Sequence, residues 1–489
     1  MQGKKEYQEK LFTCFQLSER VPQDNQYRRL KELLDLQWLY KATSKYYGTE
    51  GQQSIDPVVF FKLILIGYLE NLSSDRRIIN TVGMRLDMLY FIGYDIDEDL
   101  PWHSTLSRTR QLYSKEVFKE LFLGVLKQCI DKGIVAGRRQ VIDSVFVKAN
   151  ASMESLVEKE VLNDATDYAN DLYEEQEEIS NSNNSKKGND RFYSPSDPDA
   201  RMATKRGKPT QLNYLAQVSV DSGSYIITSI DAYHADKRDS ECLADVVEQT
   251  KSNLQSQGLL LEEVLTDANY SSGTVLQYLE DNHITGYIPN LGSYKTDREG
   301  FTYDQQKDEY VCSQGVSLPF RRMASGKAGR YKKLYNSSKE DCINCPVRSQ
   351  CIGARPIKQL TVTQDKPLFD QMHARMKSAK GKRMMMLRRI TVEPVLGTLI
   401  NFLGMKQVNT KGLKQAGKCV IMAALAYNLK KLLKYTVYKA KIIAKAADEW
   451  VQHPQIGFYG ININYSYKSP VLKELNNVTS IILLATISE

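Results

Sequence analysis

The chain has 489 residues, 42% hydrophobic and 25% charged, with a formal net charge of +8 and eight cysteines. This is the composition of an ordinary soluble globular protein, long enough for roughly two to four domains. The first residues lack the apolar segment of a secretory signal. The longest apolar run, Val58–Leu69, is broken by Lys62 and falls short of the ~20 residues that span a bilayer. The expectation is a cytoplasmic protein with no membrane partner, in which eight cysteines do not form a disulfide framework. The positive charge is clustered. No Asp or Glu occurs between Glu393 and Asp448, where lysine recurs at Lys406, Lys411, Lys414, Lys418, Lys430, Lys431 and Lys434. Arg321, Arg322, Lys327, Arg330, Lys332 and Lys333 form a second cluster. A solvated helix face would interleave acids with such cations, whereas a polyanion groove needs them unmixed, because neutralised phosphates release counterions.

In chain order, residues from about 25 to 135 read as helical. Asp56 and Pro57 form a helix start, an N-cap followed by proline at the first helical position, and Val58–Leu69 is apolar nearly all round, hence a buried helix. Ser73 or Ser74 is placed to cap the next helix, with Arg76 and Arg77 in its first turn. Ser104 or Thr105 is placed to cap a third, carrying Arg108 and Arg110. Short capped helices with arginines near their starts suit a helix-turn-helix-like DNA reader; arginines on a solvated bundle face fit the same pattern. Val141–Val147 then reads as a strand. Residues 154–185 are acidic and helix-prone, and 181–210 carry turn formers throughout, which together look like an insertion between strands. Strands resume at Tyr214–Val220 and Ser224–Ile230, followed by a helix over 240–256. A strand ending at Asp267, a helix through Leu279 and a strand at Gly286–Pro289 complete the series.

Three acids stand out. Asp143 sits inside the first apolar strand, where desolvating a carboxylate is costly unless a cation or proton compensates. Asp267 closes the run Val264–Thr266 before a turn, and Glu393 follows a dense basic stretch, Lys380–Arg389. Divalent metal is the usual compensation, and hard cations such as Mg²⁺ prefer carboxylate oxygens. Asp267 also fits a plain turn or N-cap role, and Glu393 a surface helix position. Asp143 shares its strand face with Val141, Val145 and Val147 and is the hardest to explain without a cation. His234 and Asp239 follow the third strand and could flank the site; a lone histidine there more often packs or hydrogen-bonds than catalyses. Cys312, Cys342, Cys345 and Cys351 have a spacing that could make a four-cysteine structural zinc site. Four reduced cysteines in a loop-rich segment fit the same spacing, but a segment poor in apolar residues gains more from metal than from core burial.

The stretches Val141–Ser152, Ser194–Arg201, Asp267–Gly273, Arg388–Gly397 and Ala424–Leu432, together with the helical region Asp56–Arg110, resemble DDE-type transposases of bacterial insertion sequences. The likeness is to the branch with a cysteine-bearing insertion before the last acid, and it runs from about residue 50 to about 435. It implies an α/β protein: an RNase H-like mixed-sheet catalytic core with an all-α N-terminal domain and an inserted Cys-rich subdomain. The corresponding boundaries are 1–135 for the helical DNA-binding domain, 136–290 for the first part of the core and 291–375 for the insertion. Helices closing the core then occupy 376–446, and a tail of unknown role occupies 447–489. The likeness makes Asp143, Asp267 and Glu393 the catalytic acids and ligands of two Mg²⁺ or Mn²⁺ ions in a two-metal phosphoryl transfer. It also implies end cleavage and strand transfer on double-stranded DNA by a homodimer, in the bacterial cytoplasm at the nucleoid. Arg388, Arg389, Arg76, Arg77 and Arg108 are the expected DNA contacts. The chain departs from the family pattern at Met386 and Ile400, where a tyrosine and a lysine are usual, and at Asn269, where glycine is common. The first two departures leave room for a rival, a catalytically impaired DNA-binding protein derived from a transposase.

Overall fold

A computed structural model describes residues 2, 4–5, 14–48, 50, 54–159, 184–204, 207, 209–292, 294, 296, 298–304, 306–325 and 331–452. The described chain forms two compact units. One comprises residues up to Ala136, Lys148–Asn150 and the chain from Gly397 onward; the other comprises Gly137–Val147 and Ala151–Leu396. The division differs from the sequence reading, which grouped 397–446 with the core.

The first unit is helical: α1 (Leu17–Arg20), α2 (Gln26–Leu33), α3 (Trp38–Thr43), α4 (Pro57–Leu69), α5 (Asp75–Gly83), α6 (Leu86–Ile92), α7 (His103–Leu112) and α8 (Lys115–Asp131). Asp56 caps α4 by accepting from the amides of Val58 and Val59, and ten of its thirteen residues are buried, as its all-round apolar sequence requires. Ser74 caps α5 through the Arg77 amide. The third expected cap is corrected: α7 starts at His103 with Trp102 at its N-cap and no side-chain cap bond, so Ser104 and Thr105 lie inside the first turn. Arg110 is buried and chelates Asp75 through both terminal nitrogens, at 2.6 and 3.1 Å. Arg76, Arg77 and Arg108 are exposed.

The long last helix packs within this unit against α8 and α4, and part of the acid-free lysine run is structural. Lys418 is buried and donates to the Arg110 carbonyl at 2.8 Å. Lys430 donates to the Leu69 carbonyl at 3.0 Å. Burial lowers the Lys418 ammonium to about 8. These two cations therefore close helix ends, and the polyanion reading does not extend to them.

In the second unit the chain runs β1 (Arg139–Lys148), β2 (Val157–Glu158), α9 (Asn184–Arg191), β3 (Phe192–Tyr193), β4 (Arg201–Ala203), β5 (Gln211–Asp221), β6 (Ile227–His234) and α10 (Asp239–Gln255). It continues through β7 (Glu263–Leu265), α11 (Gly273–Asp281) and β8 (Thr285–Tyr287). The main sheet has the order β4-β5-β1-β7-β8, with β6 also paired to β5. β6 and β4 are antiparallel to β5, while β1, β7 and β8 run parallel. Ile142 of β1 and Val264 of β7 pack with Leu243, Val246, Val247 and Leu276 from α10 and α11 to form the core. A second, antiparallel sheet follows: β9 (Phe301–Asp304), β10 (Glu309–Cys312), β11 (Ser317–Ser325) and β12 (Tyr331–Asn336). The short helices α12 (Lys339–Ile343) and α13 (Arg348–Cys351) come next, then β13 (Gln359–Thr363). Its order is β13-β12-β11-β10-β9, over a small core of Tyr310, Leu318, Tyr335, Leu360 and Val362. The helices α14 (Lys366–Lys377), α15 (Ala379–Phe402) and α16 (Leu413–Gln452) complete the described chain. Among the described residues no helix is long and apolar enough to cross a membrane.

The Arg110–Asp75 pair is the clearest stability element of the helical unit, with side chains 6% and 14% exposed. Removing one partner strands a buried charge, which costs about 3–5 kcal/mol. Asp75→Ala should therefore lower the unfolding free energy by about that amount in urea titration; a loss within ~0.5 kcal/mol, the range of ordinary surface changes, would show that the pair is not structural.

Candidate active site

Two carboxylates are brought side by side by strand register. Arg139 pairs with Glu263, and Val141 with Leu265, in the parallel β1–β7 ladder. Two residues further along each strand come Asp143 and Asp267. Neighbouring strands lie about 4.8 Å apart, so residues 124 apart in sequence are neighbours, Asp143 in the middle of β1 and Asp267 just past the end of β7. Asp267 also N-caps a single 3₁₀ turn, Ala268–Tyr270, accepting from the Asn269 amide at 3.0 Å. The turn role and the site role therefore coincide in one residue.

A cation lies between these acids, supplied by α15. Arg388 donates to Asp143 Oδ2 at 2.7 Å and stands 4.0 Å from Asp267 Oδ2. Earlier on the same helix, Lys380 pairs with Glu263 at 2.8 Å. The two pairings match in length: eight helical residues rise about 12 Å, and the four strand residues from Glu263 to Asp267 span about 13 Å. α15 thus runs alongside β7 with basic rungs meeting acidic ones. Sequence reading took Arg388 as a DNA contact, but its side chain is only 13% exposed and its charge is spent on the aspartates. Its Nε is buried without a hydrogen-bond partner, so the guanidinium is not fully satisfied where it lies.

Burial pushes the Asp143 carboxyl up to about 6, with Asp267 and Asp239 adding to the rise and Arg388 and the Ser144 amide opposing it. Behind the pair is a polar chain that the sequence did not reveal. Tyr270 donates to Gln217 Oε1 at 2.5 Å, and Gln217 Nε2 donates to Asp239 Oδ1 at 2.9 Å. Burial, reinforced by the surrounding aspartates, raises the Tyr270 hydroxyl well above its ordinary range, so it remains a neutral donor. Only the strand-face position of Gln217, a polar residue in an otherwise apolar run, could have signalled this. His234 bonds the Asp199 carbonyl at 2.9 Å, a structural role.

Glu393 does not join the aspartates. It lies five residues beyond Arg388, a further ~7.5 Å along the helix and about 140° around it, and it is exposed. Among the described residues no group of three His, Cys, Asp or Glu side chains is arranged to hold a metal ion. α15 continues through Pro394 without ending, so Arg389 stands one turn before Glu393 on the same exposed flank. Met386 is 62% exposed there. Cys312, Cys342, Cys345 and Cys351 are all free and half-buried. They line one cavity of about 490 Å³, but they are not drawn into a closed ligand set.

Comparison with known proteins gives the class. Residues 15–112 match a family model described as a transposase domain, and residues 311–433 match one described as a transposase DDE domain. Together the two matches support a DDE-type transposase of insertion sequences. The second match includes Glu393, Arg388 and the cysteine segment; Asp143 and Asp267 lie outside both. A DDE domain is that of a polynucleotidyl transferase-type enzyme. Among solved structures, a piggyBac transposase synaptic complex with hairpin DNA aligns over 90% of this chain and 85% of that one, at 10% identity and a TM-score of 0.31. A Mos1 transposase paired-end complex aligns over 53% and 70%, at 11% identity and a TM-score of 0.16. Alignments this loose transfer no residue role to the chain. No curated protein sequence matches it.

The raised Asp143 carboxyl has a measurable sign. Its folded value lies above the ordinary 3.8, so the folded state holds a proton between pH 4 and 6 that the unfolded chain has lost. Stability of the metal-free protein therefore falls as pH rises through that window, by up to ~3 kcal/mol at 1.36 kcal/mol per unit. Asp143→Asn removes the effect: its stability relative to the natural protein should rise by up to that amount between pH 4 and pH 7. Parallel curves would show that Asp143 is not desolvated.

Proposed function

We propose that this transposase cleaves phosphodiester bonds at transposon ends and joins them to target DNA, using a divalent ion held by Asp143 and Asp267 with Glu393 as third carboxylate. The observation that carries the reading is the register-matched aspartate pair, with Asp143 largely buried and Arg388 set against both acids. The strand order supports an RNase H-like core. Counting β1, β5, β6, β7 and β8 as first to fifth, the sheet reads third, second, first, fourth, fifth, with the first, fourth and fifth parallel.

The donor set fits a hard cation: two adjacent carboxylates, all oxygen, with only one of their charges offset by Arg388. Such an ion activates water or a 3′-hydroxyl and stabilises the leaving oxygen. The protein's own contribution is position and charge, which phosphoryl transfer chiefly demands. Asp143 and Asp267 present oxygens from two adjacent interior strands of the sheet, and the Tyr270–Gln217–Asp239 chain stands behind them. Arg388 offsets one of the two negative charges, and Asp143 would be free to hold a metal only once that contact is released. Glu393 would have to reach the pair by a shift of α15, whose exposed flank also carries Arg389 for a flanking phosphate. Duplex DNA is the substrate, contacted by Arg76, Arg77 and Arg108 on the helical unit and acted on by a dimer, since two ends must be joined. Mg²⁺ or Mn²⁺ would serve the aspartates, and four thiols around one cavity suit a structural zinc ion. One specific observation favours the rival, a DNA-binding protein without activity: Met386 and Ile400 replace residues usual beside the last acid.

A plasmid end-cleavage assay with Mg²⁺ separates the readings. Asp143→Ala, Asp267→Ala and Glu393→Ala should each reduce cleavage by about 10³-fold or more, ~4 kcal/mol of barrier, while duplex binding persists. Unimpaired cleavage by Glu393→Ala would remove that residue from the site, and a natural protein that binds but never cuts would establish the rival. Elemental analysis should find one zinc per chain, lost in Cys342→Ser; zinc-free purified protein with unchanged melting would discard the metal.

A further inference from the structure

The second sheet carries a ribbon that the reaction site does not use. β10 pairs with β11 only through Ser317–Pro319. Beyond that, β11 continues as an edge strand on β12, pairing Phe320 with Tyr335, Met323 with Lys333 and Ser325 with Tyr331, while β12 pairs on its other side with β13. A register shift between Phe320 and Arg322 keeps Phe320, Met323 and Tyr331 on one face despite their uneven spacing. These three side chains are 38%, 39% and 59% exposed and stand about 6.6 Å apart along the ribbon, two strand residues each. A contiguous row of large apolar groups on a surface marks a contact site.

The charge of the ribbon identifies the kind of partner. Neither strand contains an acid, and together they carry Arg321, Arg322, Lys332 and Lys333. Lys333 pairs with Asp308 at 3.0 Å and lies over the Phe320 ring, 5.6 Å from its centroid. Arg321, Arg322 and Lys332 are exposed, and among the described residues they form no ion pair. A second copy of this chain, itself net positive, would be repelled by such a ribbon. A polyanion would be attracted, but phosphates alone leave the Phe320–Met323–Tyr331 row unused. Unpaired bases use both features at once: their faces stack on aromatic side chains while their phosphates meet the cations.

We propose that the β11–β12 ribbon binds single-stranded DNA, stacking unpaired bases on Phe320 and Tyr331 with the backbone held over the free edge of β11 by Arg321 and Arg322. This goes beyond the transposase reading and does not require the carboxylate site, so it is tested without chemistry.

Fluorescence anisotropy of the full chain in EDTA, with a labelled oligothymidine and a duplex of equal length, provides the test. A Phe320→Ala/Tyr331→Ala double variant should bind the single strand about tenfold or more weakly and the duplex within about twofold of the natural protein. Tyr331→Phe, which keeps the ring, should bind as the natural protein does. Replacing Arg321 and Arg322 by Gln should reduce the salt slope for the single strand by about 1.4, from ~0.7 per lost phosphate contact. Unchanged single-strand binding in the double variant, or equal losses for strand and duplex, would overturn the proposal. Thermal melting of each variant confirms that the sheet is intact. A chain that binds the single strand through these residues yet never cleaves DNA would count against the catalytic reading alone.

Discussion

A pair of carboxylates on two adjacent parallel strands is costly to bury unless a cation or a proton compensates, and the helix beside that part of the sheet unit is placed to supply the cation. The β1–β7 register makes Asp143 and Asp267 neighbours. Like charges at strand spacing repel, and burial adds to the penalty. The protein answers with Arg388, which bonds one acid and stands near the other. The position of α15 follows, because Lys380 and Arg388 must reach Glu263 and the aspartates from one helix face. The match is incomplete, since the guanidinium bonds one oxygen and leaves a buried nitrogen without a partner.

The basic character of the chain divides by burial. Arg110, Lys418 and Lys430 are absorbed into the helical unit, closing carbonyls or pairing with Asp75. Arg388 and Lys380 serve the sheet. The exposed cations form a separate population: Arg76, Arg77 and Arg108 on short helices, Arg389 on the outer flank of α15, and the acid-free ribbon of β11 and β12. Only that second population has charge to spare for phosphates, so the net charge alone overstates the surface available to a polyanion.

Parts of this organisation were legible in the sequence because they rest on local chemistry. Asp56–Pro57 reads as a helix start since a capping oxygen and a fixed proline φ act within one turn. Asp143 stands out because a carboxylate among Val141, Ile142, Val145 and Val147 demands an explanation at any tertiary position. Other features were hidden. The segment around the cysteines reads as loop-rich, yet it forms a five-stranded sheet, because its core of Tyr310, Leu318, Tyr335, Leu360 and Val362 is assembled from strands up to fifty residues apart. The Gln217–Tyr270 contact joins residues 53 apart, and neither residue type signals it.

The sequence by itself determined the class of protein, through local motifs, and it determined which carboxylates are candidates, since burying a charge in an apolar strand is costly wherever that strand lies. Only the tertiary structure decided who stands next to whom. Strand register put Asp143 beside Asp267, helix rise and rotation sent Arg388 inward and Glu393 outward, and neither follows from residue types. The physical reason is range: caps, turns and apolar alternation act over a few residues, while the balance of charges in a site sums over groups that the chain separates by more than a hundred.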